Sequence, residues 1–486
     1  MREKMNRAAA AVRGGLSGIA LNVSLFVFAA FLFSGVLGMT PLKWYQDQVT
    51  QFFRFVLVPW GMALALARLM KSRSAPASAD TGVLFALLVW MTVPYIYRFG
   101  LTFNNINAAC GYAMVFFGVY ALLREESPER RERLLDWACA VFGLFSLVFG
   151  GALLYCVVTA QCFATDLGEI GFGVVNRLYL SSGVHYNITG MIGVCCMMLC
   201  LCGAERARRL WLRLPYILGA VMMMVVIVLT QSRTARYSML LVLALGVFCR
   251  LIGCLRAKPW QRAIAGLVAA AVVLVGGNFI AGRLNNAVLN YYVRVDTQRI
   301  MRTALEQGGS MDEAAVQAEK VQDDQAIRRE MRQSAESTVS RRTEIWGALI
   351  KSWRENPKSL LIGNGVGNTG RLLTREGWFK NLSGIAVHNT YLQFIADYGL
   401  VGFGLQMLFF LLILRRCVLA LLRAGREWRG MLPLAMLVLA ILATGMMESA
   451  PLGEMTPMNV CLFFALGMLV PYGEQAQGGL SCGARL

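Results

Sequence analysis

The sequence predicts an all-α polytopic integral membrane protein. Of its 486 residues, 57% belong to the hydrophobic set and only 15% are charged, and the mean hydropathy is +0.54. Apolar runs of about 20 residues, the length that a helix needs to cross a bilayer, recur along the chain. This composition excludes a soluble enzyme, so membrane-spanning helices are expected to organise the protein.

About 12 transmembrane helices are predicted from these runs. They lie at residues 16–38, 52–69, 82–97, 105–122, 135–158, 186–202, 214–231, 237–254, 262–282, 389–414, 430–447 and 455–471. Residues 1–282 therefore contain helices one to nine, residues 283–387 form one long, largely helical extracytoplasmic loop, and residues 388–486 contain helices ten to twelve with a cytoplasmic tail. The first run exceeds the apolar core of a signal peptide, so we interpret it as an uncleaved span.

The basic residues predict the orientation of these helices. The chain has 47 Lys and Arg against 28 Asp and Glu, a formal net charge of +19. With the N-terminus in the cytoplasm, the predicted cytoplasmic ends and loops hold 25 of the basic residues and the short outer loops hold 6, as the positive-inside rule expects. We therefore predict a multi-pass protein of the cytoplasmic (inner) membrane with both termini cytoplasmic. The same distribution favours contact with anionic membrane lipids and argues against nucleic acid.

The long loop contains three informative segments. Residues 306–337 are rich in helix formers and charges, which is typical of a solvated surface helix. In the segment 343–353, apolar and small residues recur at helical spacing, so we predict a helix that packs through Ile345, Ala348, Leu349 and Ser352. The glycines of GNGVGNTG at 363–370 indicate a tight loop, for which a structural turn is favoured over a phosphate-binding role.

Cationic side chains gather at the predicted outer ends of the spans. The two histidines of the chain, His185 and His388, lie there, and so do Arg177, Arg233 and Arg236. Guanidinium groups match phosphate oxygens in two-point contacts, so these arginines favour an anionic ligand. The alternative is that the arginines extend toward lipid headgroups and that the histidines are satisfied by water or backbone.

Several motifs together resemble the O-antigen ligase and O-antigen polymerase superfamily. They are TQSRTARYS, the segment Arg342–Trp346 (RTEIW), LLIGNGVGN and VHNTYLQFIADYGLVGFG, and the resemblance extends from about residue 173 to 415. It implies a GT-C-like fold and a metal-independent, inverting glycosyltransferase without a cofactor. Such an enzyme moves a glycan from undecaprenyl pyrophosphate to a hydroxyl acceptor, on the side of the membrane that faces the periplasm or cell exterior. The acceptor is lipid A core in a ligase and another lipid-linked glycan in a polymerase.

The resemblance also implies roles for particular residues. Arg233, Arg342 and His388 would surround the pyrophosphate as the catalytic group. Apart from the resemblance, the chemistry and outer position of five further residues predict substrate binding: Arg177, His185, Arg236, Asn389 and Tyr391. His388 would act either as the base that removes the acceptor proton or, when charged, as a donor to the phosphate.

Other interpretations of the outer residues remain open. Asn389 has the position of a helix cap, and Tyr391 that of an aromatic anchor at the membrane boundary. Asp397, nine residues past His388, is expected to be a helix-packing partner because it would point to roughly the opposite helix face. Glu448 and Glu454 lie too far apart in sequence for a metal motif.

A lipid-linked glycan transporter or flippase is the alternative from another class. It would have a similar number of spans, but internal repeats and charged residues deep within the spans would be expected. The sequence shows neither feature, which favours the transferase.

Overall fold

The computed structural model describes most of the chain from residue 78 onward. The described residues are 63, 78–100, 103–160, 162–164, 171–175, 179–182, 186–254, 258–306, 337–366, 368–369, 387–423, 431–448 and 456–475. The first two predicted spans and most of the predicted surface helix at 306–337 lie outside these residues.

The described residues are mostly helical. The helices are α1 (Ala79–Phe99), α2 (Phe103–Ala113), a π-helix (Met114–Ala121), α3 (Leu122–Glu125), α4 (Pro128–Thr159), α5 (Tyr186–Arg206), α6 (Leu210–Leu229), α7 (Arg233–Cys254), α8 (Pro259–Glu306), α9 (Ser337–Glu355), α10 (Pro357–Ile362), α11 (Thr390–Arg423), α12 (Leu432–Gly445) and α13 (Pro457–Gln475). Each predicted apolar run from 82–97 onward overlaps one or more of these helices. Six of the helices are long and apolar enough to cross a membrane, and four shorter apolar segments accompany them. The described residues are consistent with an all-α membrane protein.

Helix α5 lies at the centre of the bundle. It packs against α4, α6 and α12, and nearly all of its apolar residues are buried. Glycines allow these close contacts, because a Cβ atom at Gly203 would come within 2.7 Å of the Tyr216 ring on α6. The apolar core of the described helices is therefore built around α5.

Helix α8 lies at the edge of the bundle and continues past the predicted boundary at residues 282 and 283. It has 48 residues, about 72 Å at 1.5 Å per residue, more than twice the thickness of the hydrocarbon core. Beyond its apolar part, the Tyr292 hydroxyl donates to the carbonyl of Cys156 at 2.9 Å. The ninth predicted span therefore continues without a break into the region predicted as a loop.

A small three-stranded sheet connects α4 and α5. Its strands are β1 (Cys162–Ala164), β2 (Gly171–Val175) and β3 (Tyr179–Ser182), and they pair antiparallel in the order β1-β2-β3. Leu180 and Val174 of this sheet pack into the apolar core. The sheet adds a β element that the sequence analysis did not predict.

Helix α11 breaks at Gly399, and the glycine loop after α10 fills the break. Gly399 has φ +69° and ψ 179°, which are not helical backbone angles. The backbone N–H groups of Asn364 and Gly365 donate to the carbonyls of Ala396 and Asp397 at 2.8 and 2.9 Å, and Trp90 Nε1 donates to the Tyr398 carbonyl at 2.9 Å. Gly363 and Gly365 thus form a packed turn, as the favoured interpretation of the glycine cluster predicted.

The end of the bundle opposite this break carries a buried ion-pair cluster. Asp80, at the start of α1, is fully buried and pairs with Arg124 at 2.6 Å and with Arg416 at 3.1 Å. Arg416 lies 26 residues after Thr390 on α11, beyond the break at Gly399. The ion-pair cluster and the start of α11 therefore lie at opposite ends of this helix.

Candidate active site

The carboxylate of Glu448 is buried at the centre of the candidate site. Glu448 lies just past the C-terminus of α12 and is 6% exposed. Its backbone N–H donates to the carbonyl of Thr444 at 3.1 Å, and its own carbonyl accepts the Thr390 hydroxyl at 2.6 Å. These bonds fix the residue where the end of α12 meets the start of α11.

Three side chains from separate parts of the chain converge on this carboxylate. Asn187 Nδ2, near the start of α5, donates to Oε1 at 2.9 Å. The Nη2 atom of Arg342, on α9, donates to the same oxygen at 3.1 Å, and His388 Nδ1 lies 3.4 Å from Oε2. The structure therefore brings together two of the three residues predicted to be catalytic, through an acidic residue that the sequence analysis had considered only for metal binding.

Arg342 reaches this point because helix α9 packs through one face. Ile345, Ala348, Leu349 and Ser352 are all buried, as their spacing predicted. Arg342 precedes Ile345 by three residues and Leu349 by seven, so it lies on the same face of the helix. Leu349 packs with Val387, directly before His388. The same apolar contact thus positions Arg342 and His388 relative to each other.

The backbone of His388 is held in an uncommon conformation. Its φ is +52°, which non-glycine residues adopt rarely and mostly where the surroundings impose it. Trp346 Nε1 donates to the Val387 carbonyl at 2.8 Å, and the Val387 N–H donates to Gln393 Oε1 at 3.1 Å. The side chain of His388 is 39% exposed, so its ring reaches solvent while Nδ1 faces Glu448.

Arg233 lies at the same end of the bundle, as the first residue of α7. The Ser232 hydroxyl accepts the backbone N–H of Ala235 at 3.3 Å and caps this helix. A Cβ atom at Gly190 on α5 would lie 2.8 Å from the Ala235 Cβ, so the turn packs against the helix that carries Asn187. Arg233 itself is exposed. The positive end of the helix dipole and the guanidinium both favour an anion beside this turn.

Arg236 follows one turn later and is less exposed than Arg233. Its guanidinium lies 5.1 Å from the centre of the Tyr237 ring, and Nη2 is 3.5 Å from the hydroxyl of that residue. Arg177 and His185 lie outside the described residues. A substrate-binding role for all three stays a prediction.

The side chains of Asn389 and Tyr391 take part in contacts within the bundle. Asn389 Oδ1 accepts the backbone N–H of Leu392 at 3.0 Å, and its Nδ2 donates to the Met446 carbonyl at 2.9 Å. The Tyr391 hydroxyl donates to the Leu442 carbonyl at 2.8 Å. Asn389 therefore caps α11, which was the alternative interpretation, and substrate binding by either residue stays a prediction.

Asp397 is a packing residue, as predicted. It is 1% exposed, and Gln393 Nε2 donates to both of its carboxylate oxygens at 3.0 Å. The Thr369 hydroxyl also lies 3.2 Å from Oδ1. These bonds attach the glycine loop to α11. The carboxylate that does reach the candidate site is that of Glu448.

The sequence contains one signal that points to Glu448. It is the first charged residue after the apolar run 430–447, at the predicted outer end, where acidic residues are scarce. Asn187 lies near the start of α5, and no spacing in the sequence relates it to a residue 261 positions away. In the described part of the chain, no group of three or more His, Cys, Asp or Glu side chains is placed to hold a metal ion.

The comparison with known families bears on the same elements. Residues 218–407, which include Arg233, Arg342 and His388, match the family model described as O-antigen ligase. This match supports placing the chain in the O-antigen ligase superfamily, so the resemblance predicted from the motifs is confirmed. Among curated proteins, none matches this chain. The match supports a membrane enzyme of the O-antigen ligase or polymerase type, and the family implies a lipid-linked glycan and an acceptor as substrates in general.

Proposed function

We propose that the protein transfers a glycan from undecaprenyl pyrophosphate to a hydroxyl acceptor on the outer face of the cytoplasmic membrane, as an O-antigen ligase does. The observation that carries the proposal is the meeting of Arg342 and His388 at Glu448. The reaction needs a cationic group that stabilises the leaving pyrophosphate and a base that accepts the proton of the acceptor hydroxyl. Arg342 is able to serve as the first and the His388 imidazole as the second.

Arg342 and Arg233 would stabilise the pyrophosphate as it leaves. The described contact of Arg342 with Glu448 is made through Nη2, whereas a guanidinium has five N–H donors. Its side chain is 20% exposed, so the remaining donors are able to face a phosphate oxygen. Arg233 begins α7, whose first turn packs against α5, the helix that carries Asn187. Charge on the leaving group would thus be balanced without a metal ion.

His388 would remove the proton from the acceptor hydroxyl. The acceptor oxygen then attacks the anomeric carbon, the bond from this carbon to the pyrophosphate oxygen breaks, and the electron pair leaves with undecaprenyl pyrophosphate. Attack from the face opposite the leaving group inverts the configuration of the sugar. A product with retained configuration would contradict this mechanism.

The arrangement of charge supports the proposed orientation. The candidate site lies at one end of α11, and the cluster of Asp80, Arg124 and Arg416 lies at the other. The positive-inside rule assigns the end with Arg124 and Arg416 to the cytoplasm, so the site would face the periplasm or cell exterior. Undecaprenyl-linked glycans assembled for export are available on that side.

Transfer by the protein in nanodiscs would test the proposal. An undecaprenyl-pyrophosphate-linked repeat is supplied alone and with lipid A core, and products are followed by gel and mass spectrometry. We expect a single transfer that needs lipid A core; a ladder from the donor alone would identify a polymerase instead. Movement of the intact donor across the bilayer without transfer would indicate a flippase.

Variants connect this assay to the site. Arg233→Ala and His388→Ala are each expected to lower the rate of transfer by about 100-fold or more and to leave a measurable residual rate. Arg354→Ala, a change at an exposed arginine on α9, is expected to leave transfer intact. Transfer at the wild-type rate by both of the first two variants would refute the assignment of the site.

A further inference from the structure

Glu448 is placed to select which ring nitrogen of His388 carries the proton. An ionised carboxylate is an acceptor only, so a hydrogen bond across the 3.4 Å between Oε2 and Nδ1 places a proton on Nδ1. A neutral imidazole with its proton on Nδ1 has its lone pair on Nε2. Nε2 is then the atom that is able to take a proton from an acceptor hydroxyl.

The two oxygens of Glu448 have separate partners. Oε1 accepts Asn187 and Arg342, and Oε2 faces His388. The carboxylate is therefore held against rotation on one side while it orients the imidazole on the other. Its residue is also fixed through Thr390, two positions after His388, at 2.6 Å.

We propose that Glu448 is a positioning residue for glycan transfer, which selects the His388 tautomer with the proton on Nδ1 and stabilises the imidazolium that forms. This proposal rests on the proposed function. The acceptor proton passes to Nε2, the oxygen keeps its electron pair and bonds to the anomeric carbon, and the leaving pyrophosphate takes the electron pair of the broken bond. Glu448 forms and breaks no covalent bond, in the manner of the carboxylate in a hydrolase triad.

The substitution Glu448→Gln tests this role by removing the charge at nearly constant size. An amide is able to donate to Nδ1 as well as accept from it, so the required tautomer is no longer enforced. We expect kcat to fall about 100-fold or more, with the KM for the donor changed by less than about threefold. The control is Glu355→Gln, the same change at an exposed residue of α9, for which both constants stay within about twofold of wild type.

A double-mutant comparison separates positioning from a merely structural role. If Glu448 acts through His388, adding Glu448→Gln to His388→Ala lowers the residual rate no further. If Glu448 only anchors Arg342 and Asn187, the two losses multiply. The second outcome would overturn the proposal.

The tautomer of His388 is measurable in the wild-type protein, which covers the case of a variant that fails to fold. The chain has two histidines, so 15N-histidine labelling gives signals from only two rings, and His388→Gln identifies which belongs to His388. We expect the proton on Nδ1 in wild type. A proton on Nε2 with a bare Nδ1 would refute the proposal without any activity measurement. Failure of wild type to transfer glycan would instead count against the proposed function.

Discussion

The break in α11 at Gly399 gives a quantitative prediction. A Cβ atom at this position would lie 2.2 Å from the Leu361 carbonyl oxygen, and the residue has φ +69°. Gly399→Ala therefore combines a steric overlap with a backbone conformation that side chains disfavour. The loop and the helix have to separate for the new methyl group to fit.

The size of the effect follows from what that separation costs. A conformation with φ +69° and ψ 179° is adopted almost only by glycine and costs a residue with a Cβ atom about 1–3 kcal/mol. Separation of the loop also breaks the hydrogen bonds from Asn364 and Gly365 to α11, at about 0.5–1.5 kcal/mol each. We expect Gly399→Ala to lower the free energy of unfolding by about 2–6 kcal/mol in total.

Gly404→Ala is the matched control for this prediction. Gly404 lies on the same helix, and nothing is within 4 Å of the position of its Cβ atom. Alanine is the better helix former, so this variant should be as stable as wild type or slightly more stable. Reversible unfolding in mixed detergent micelles, followed by circular dichroism, measures both variants. Equal stability of the two would refute the inferred packing of the glycine loop.

Three further predictions concern other contacts. Arg342→Ala is expected to reduce transfer at least about 100-fold in the nanodisc assay while Arg354→Ala has no effect, because the leaving pyrophosphate loses a guanidinium donor. Leu349→Ala should lower the free energy of unfolding in mixed micelles by about 2–4 kcal/mol, and Ile350→Ala, at an exposed neighbour, by less than about 1 kcal/mol. Asp80→Asn should lower it by about 3 kcal/mol in the same measurement, because two partly buried arginines lose their buried carboxylate partner.

Much of the fold follows from local features of the sequence. The apolar runs predicted the positions of the helices in the described residues because a bilayer fixes the length of a span. The buried face of α9 was predicted in the same way, since Ile345, Ala348, Leu349 and Ser352 repeat at helical spacing. The break at Gly399 was harder to predict, because a glycine within an apolar run has no local signature until its partner loop is known.

The three-stranded sheet and the continuation of α8 illustrate two different limits. The strands are three to five residues long, which is too short for a clear alternation of apolar and polar residues. They are recognised only by the backbone pairing between them. Helix α8 continues from apolar into polar residues without a residue that ends the helix. The sequence analysis therefore took the fall in hydropathy near residue 282 as the end of the transmembrane helix. Hydropathy locates the membrane boundary but not the end of a helix.

Only some residues of the candidate site could be predicted, because some lie in recognisable sequence motifs and others do not. Arg233, Arg342 and His388 lie in motifs that resemble a family; the structure places Arg342 and His388 at Glu448, and their catalytic roles stay predictions. Glu448 has one weak local signal, its position after an apolar run, and its partners lie 60, 106 and 261 residues away in sequence. Contacts of that separation exist only once the ends of α5, α9, α11 and α12 meet.

The buried position of Glu448 also constrains how the site can work. A carboxylate beside a predicted pyrophosphate site repels the ligand unless cations outweigh it, so an anion-binding role alone gives no reason for its presence. Arg342 and Arg233 supply two positive charges against its one, which leaves a net attraction for the leaving group. In the proposed mechanism the negative charge would act beside Nδ1 of His388, where it would stabilise the imidazolium that forms when Nε2 takes the acceptor proton. The combination favours a site that binds an anion and also accepts a proton, which is what glycan transfer from a pyrophosphate to a hydroxyl requires.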